Sequence, residues 1–393
     1  MAEAKSSNEE ERFGAVRGAV EERGSEAALA ELADHFRAES RYHEFFETRL
    51  MLCRQRAGLP LEAHFQIDAM DSPLRESLEQ SYLDACRETG RLFLEAGKIR
   101  EAWMYLRTVD DRAAMRSYLA EMKVDAQNVE SLLEIAIYEG VDVVLGFGHL
   151  LKEMGTCNAI TTYESVMPTH SLEERRRVAG LLIDHLHHEL VTNFSAALGE
   201  TATGDVGATD ALGQLLQRCD DEFGEYTVHV DASHLSSVVR MAAIVESEAA
   251  LERSLDLTRY GKRLHPNFHF PGPAPFEDPY ESHRLLFSAL LGSEIEEAIA
   301  YFRSKAEEMR DQQNTWPAEV YVSLLARLGR CGEALSARIE LIGTQRSAES
   351  PAPSLLELAE RCGEYDRLLP YLESEGDLLT YTAAVIQQRG DES

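Results

Sequence analysis

Residues 82–109 read YLDACRETGRLFLEAGKIREAWMYLRTV. Gly97 supplies a turn between two helical stretches, because glycine reaches backbone conformations that other residues avoid. Gly90 and Ala102 stand one on each side of it, small enough to let two antiparallel helices approach. Phe93 and Leu106 are the large residues that fill the groove between such a pair.

Small, aromatic, turn-glycine, small and large apolar residues in this order resemble the tetratricopeptide repeat. Weaker echoes occur at Gly329–Ala334 (GRCGEA) and Gly363–Leu368 (GEYDRL), with the same five-residue offset from turn to second helix. Gly292–Ala298 (GSEIEEA) has one residue more. The family's terminal proline and its tryptophan position are not matched, so one unit carries the resemblance. It implies an all-α fold, a right-handed α-solenoid of antiparallel helix pairs whose concave face binds partners.

Working outward, Leu29, Leu32, Ala33 and Phe36 follow the spacing of one buried helix face. A second run with Phe45, Phe46, Leu50 and Met51 closes at Gly58 and Pro60. Ser72 before Pro73 marks a further helix start. Residues 1–24 read as an acidic flexible tail or a frayed first helix. Leu132 to Ile137 open one of the longer helices expected over 128–198. Ser171-Leu-Glu-Glu174 is a capping box that opens a helix to about Leu198, with Val178, Leu182, Leu186 and Leu190 as its buried stripe.

The Gly/Thr/Asp-rich segment 199–211 is a linker or long loop between two helical-repeat halves, 25–198 and 212–390. Tyr226 to Val230 is expected to be extended, and a helix capped by Asp231 to run to about Tyr260, with Gly261 ending it. The proline-rich loop 265–279 cannot be helical. Its aromatic residues Phe268, Phe270 and Phe276 pack it down, and Asp278-Pro-Tyr-Glu281 caps the next helix. The expected total is about sixteen to eighteen helices.

The chain of 393 residues carries a formal charge of −30. That argues against a nucleic-acid binder, which needs a basic face, and against adsorption to an anionic membrane. It keeps the surface soluble, or it steers a basic protein or peptide as partner. None of the six cysteines forms a C-x-x-C pair, and scattered single cysteines are usually reduced and buried. The polar, acidic start has no signal-like apolar region, and no apolar run is long enough to span a bilayer. The expected location is the cytoplasm.

The stretch 228–283 holds five of the thirteen histidines and five of the twelve prolines. His229-x-Asp231-x-x-His234 has the donor types of a divalent-metal site. Equally, Asp231 caps a helix with His234 in its first turn. His265 and His269, in the rigid loop with His283 after it, would complete a metal shell or provide a general base. As a connector, the same loop uses its polar side chains to satisfy backbone groups. A second cluster, His185, His188 and Glu189, shares one helix face, either as ligands or as a solvated polar side. Glu164 is a further carboxylate within reach of such a site, or a helix-surface residue.

Phosphate-loop, zincin and nucleophile-elbow motifs do not occur. The leading expectation is a non-catalytic scaffold that binds a peptide or protein in its concave groove. The alternative is a metal-dependent enzyme or metal-binding protein with a central His/Asp site.

Overall fold

At Gly97 the backbone turns left-handed, with φ 74°. Lys98 follows as N-cap and a helix starts at Ile99. Gly329 and Gly363 repeat the device, each with one cap residue before the next helix. So do two residues with a side chain, Ser40 (φ 58°) and Asp110 (φ 49°). Five places after each turn, one turn into the new helix, stands a buried residue: Phe45, Ala102, Met115, Ala334 and Leu368. After the turn at Gly292 the buried residue is Ala298, one place later. Local chain geometry thus sets which side chain meets the preceding helix.

The computed structural model describes residues 2–62, 72–198, 228–310, 314–345 and 350–391, with side chains from Phe13 to Gly390. Among them are eighteen α-helices and no strand. Contacts divide the chain into two units, Met1–His149 and Leu150–Ser393. The expected linker 199–211 lies outside the described residues.

The first unit holds α1 (Ala2–Arg23), α2 (Ser25–Ala38), α3 (Tyr42–Arg56), α4 (Ser72–Glu95), α5 (Ile99–Leu106), α6 (Arg112–Glu121) and α7 (Val129–Leu133). The N-terminal segment is therefore a helix rather than a tail, and α1 packs on α2. From α2 to α5, consecutive helices pack against each other. At Gly90 on α4, a Cβ would stand 2.6 Å from Leu106 Cγ; the small residue is what lets α5 come so close. Phe93 stacks on Tyr105 at 5.7 Å, and Tyr105 OH bonds His43 Nδ1 at 2.8 Å. Burial pushes the Tyr105 phenol up to about 12. The segment from Leu132 does not open a long helix. After α7 the backbone widens into a π turn at Glu134–Tyr138, with Ile135, Ala136 and Ile137 buried.

Helix α8 (Val143–Val166), interrupted at Gly155, carries the chain across the division. The second unit continues with α9 (Leu172–Ala197), α10 (Ala232–Met241), α11 (Glu248–Arg263), α12 (Pro279–Leu290), α13 (Ile295–Met309), α14 (Trp316–Arg327), α15 (Cys331–Leu341), α16 (Leu355–Cys362), α17 (Tyr365–Glu375) and α18 (Leu378–Asp391). Both halves of the Ser171–Glu174 capping box form, and the expected apolar stripe of α9 is buried. Pro279 takes the first position of α12, with Asp278 accepting from Glu281 N at 3.0 Å. Of the free cysteines among the described residues, only Cys86 is buried.

The single helix expected from Asp231 to Tyr260 is two helices, α10 and α11, with a break at Val245–Ser247. Two arginines from elsewhere hold that break. Arg327 Nη1 donates to Ala243 O at 2.6 Å and Nη2 to Val245 O, while Arg176 Nε donates to Ile244 O at 2.9 Å. Ser247 then caps α11 by accepting from Ala250 N. Carbonyls that a continuing helix would have used are spent on guanidinium groups. Burial pushes Arg327 down to about 10, so its two bonds are made in a dry setting. Arg327→Lys, which cannot span both carbonyls, is expected to cost about 2 kcal/mol in urea denaturation. A loss below about 0.5 kcal/mol would show that the clamp is incidental.

Candidate functional site

Helix α11 is where the three histidine groups meet the fold. It packs on α9, α10 and α12, and it offers them Asp256, Tyr260 and Gly261, all buried.

His187 on α9 faces Asp256, with Nε2 and Oδ2 3.3 Å apart, and both residues are buried. Arg259 reaches the other carboxylate oxygen at 3.4 Å. The sequence reading passed over His187 in favour of its neighbours. His185 instead bonds Thr156 Oγ1 at 3.0 Å and stands 3.9 Å from Glu189, while His188 is exposed. The signal was present: His187 continues the line Ile183–His187–Val191, whose two apolar members are buried.

His229 enters from the segment before α10. Its backbone N–H donates to Tyr260 OH at 2.8 Å, its carbonyl accepts from Asn193 Nδ2 at 2.6 Å, and its ring lies 4.2 Å from that of Phe194. Burial pushes the His229 imidazole below its ordinary value, and its Nε2 meets no hydrogen-bond partner. Val228 to Val230 are irregular rather than a strand. Asp231 is the N-cap of α10, accepting from Ser233 N at 2.8 Å and His234 N at 3.2 Å. The hydrogen bond from the Ser233 hydroxyl, with those amides, holds its carboxyl below the usual range. His234 stands in the first turn behind it. Glu164 pairs with Arg240 at 3.5 Å.

The loop residues are also engaged. His265 Nδ1 accepts from Asn267 N at 3.2 Å and caps a short turn. His269 Nε2 bonds Leu264 O at 3.1 Å, and its ring meets the edge of Tyr280 at 5.0 Å. His283 is buried under Phe276 at 4.1 Å, with Nδ1 on Pro279 O at 2.5 Å. Tyr280 lies wholly inside, against Gly261, and burial pushes its phenol well up.

The segments that carry the candidates thus converge on α11, but the side chains do not form one group: His187 pairs with Asp256, His185 with Thr156 and His269 with Leu264 O, Asp231 caps α10, and His188 is exposed. Among the described residues, no group of three or more His, Cys, Asp or Glu side chains is placed to hold a metal ion. The hydroxyls of Ser254 and Thr258, on the same helix, donate to Ala250 O (2.6 Å) and Leu255 O (2.7 Å). The cluster orients helices, and the His187–Asp256 pair within it is enclosed.

An open surface is found in the first unit. A groove of about 500 Å³ between α1 and α2 has an apolar floor that includes Phe13, Val16, Leu32 and Phe36. Phe13 and Val16 are exposed. At its rim Arg23 pairs with Glu31, and the Arg41 guanidinium lies 4.6 Å above the Phe36 ring.

No protein-family model matches the chain, nor does any curated protein or solved structure. Among the described residues, no helix is long and apolar enough to cross a membrane.

Proposed function

We propose that the chain is a non-catalytic interaction scaffold. Each unit is a short right-handed α-solenoid of antiparallel, tetratricopeptide-like helix pairs, and its partner is a basic peptide or protein segment. The observation that supports this reading best is the recurring turn with its buried residue five places on, found in both units. One supersecondary unit used repeatedly is the design of proteins that present extended binding surfaces. In this reading the candidate histidines are packing, capping or surface groups.

The formal charge of −30 steers basic partners toward the surface. The groove between α1 and α2 gives an apolar anchor point for such a segment. A lysine-rich amphipathic peptide is expected to bind in fluorescence anisotropy, more weakly as salt rises, while an acidic peptide of matched hydropathy does not. Replacing both Phe13 and Val16 by Ser, at exposed positions, is expected to weaken binding about tenfold without unfolding the chain. Equal binding of acidic and basic peptides, or indifference to the double substitution, would count against the reading.

A further inference from the structure

Helix α18 turns an apolar face outward. It packs on α16 and α17, and Thr380 and Ala384 mark its buried side. On the other side Leu378, Leu379 and Ile386 are 74%, 71% and 67% exposed. Among the described large apolar residues only Phe13 is as exposed. At 3.6 residues per turn, Leu378, Thr382, Ile386 and Arg389 share one stripe, flanked by Leu379 and the half-buried Val385. The last helix of a repeat stack ordinarily shows a polar outer face, which keeps the stack soluble. Helix α18 shows the reverse.

The face is complementary to itself. Leu378 and Ile386 lie four places to either side of Thr382, and Leu379 and Val385 lie three. When two identical helices pair antiparallel about a two-fold axis, residues equally far from the centre face each other, as an isologous contact requires. Beside the Leu378–Ile386 ridge, Leu379 and Ala383 wall a cavity of about 300 Å³ together with Leu355 and Leu356 of α16. Each copy therefore offers both a ridge and a groove.

Charge selects the direction. The chain enters α18 through Glu373, Glu375 and Asp377 and leaves it past Arg389. Glu375 and Arg389, each seven places from Thr382, are both exposed. Antiparallel pairing brings each Arg389 to the acidic entry of the other copy, whereas parallel pairing sets like charges together. The one polar group at the centre is already satisfied, since Thr382 Oγ1 donates to Leu378 O at 2.8 Å. Covering it leaves no donor unmet.

We infer that α18 is a self-association surface, pairing antiparallel with α18 of a second copy so that Leu378 meets Ile386 about an axis through Thr382. The contact is small, because a helix of 14 residues is about 21 Å long. The charge of −30 on each copy opposes it. The expected dimer is thus weak, with a Kd on the order of 10 µM at about 0.15 M salt.

Sedimentation equilibrium of the full chain, from about 1 to 200 µM, is expected to show monomer passing to dimer. Leu378→Glu and Ile386→Glu each put a charge into the contact and are expected to weaken the dimer at least about tenfold. Both positions are exposed, so the variants fold, which circular dichroism and the urea midpoint verify. Thr382→Cys, on the axis, is expected to join two copies through residue 382 when treated with diamide, as read by peptide mass spectrometry. Arg389→Cys, about 20 Å from its mate in this register, does not join to itself. A chain that stays monomeric to about 200 µM overturns the inference. So does a dimer that withstands both glutamate variants, one that links through residue 389 and not 382, or one broken by Phe13→Ser with Val16→Ser instead. If the chain stays monomeric while an amphipathic helical peptide binds α18, the face belongs to another protein and the inference falls as well.

Discussion

Gly261→Ala is expected to destabilise the second unit by about 3 kcal/mol. In an exposed helix interior the same change would stabilise by about 1 kcal/mol, because alanine is the better helix former. Here the sign reverses. A Cβ at position 261 would lie 2.3 Å from two ring carbons of Tyr280. The ring has nowhere to go: Tyr280 is completely buried, and His269 abuts it at 5.0 Å. Either α11 and α12 move apart or the ring leaves its rotamer, and both cost packing energy. Equilibrium urea denaturation reads the effect as a lower midpoint at unchanged slope. Tyr280→Leu alone leaves a cavity, but combined with Gly261→Ala it removes the clash. The double variant is then more stable than the sum of the single changes by at least about 1 kcal/mol. A stabilised Gly261→Ala variant would mean that the two helices do not pack this closely.

The same glycine shows where the sequence misleads. Read locally, Gly261 after a long apolar pattern marks a helix end, yet α11 continues through it to Arg263. What selects glycine there is a side chain nineteen places later in the sequence, Tyr280, which no local pattern reveals. The break between α10 and α11 was hidden for a like reason, since Arg176 and Arg327 come from α9 and α14 to hold it. Caps such as Ser171 and Asp278 were legible because both partners of each bond lie within four residues. The packed helix pair at 82–109 was legible because its turn, small residues and large residues sit at fixed offsets. The histidines fall between these cases. Their residue types were visible in the sequence, but that their segments meet on α11 was not, and which atoms pair depends on Asp256, Tyr260 and Tyr280.

His283 sets the second large expectation, a loss of stability on mild acidification. Burial pushes its imidazole down to about 4, against a smaller opposing pull from the bond with Pro279. In the unfolded chain a histidine titrates near 6.5. The folded protein thus keeps His283 neutral over a range in which the unfolded chain takes up a proton. Protons bound by the unfolded state favour unfolding, so stability is full above about pH 6.5 and falls until about pH 4. The whole span corresponds to about 3 kcal/mol, of which about 2 kcal/mol is lost between pH 7 and pH 5. Stopping at pH 5 keeps most of the carboxylates out of the measurement. Glu281, for example, is held down to about 2 by Arg284 and Lys262 and contributes only in stronger acid. His229, lowered by burial, adds to the loss in the same direction. The control is His283→Phe, which keeps a ring against Phe276 and carries no proton. It is less stable than the wild type at pH 7, where the bond to Pro279 is missed, but its stability falls by about 2 kcal/mol less between pH 7 and pH 5. Carbon-detected NMR of the wild type is expected to show the His283 ring still neutral at pH 5. A His283 that titrates near 6.5, or parallel pH profiles for the two proteins, would mean that the ring is open to water and that α12 does not seal against the proline-rich loop.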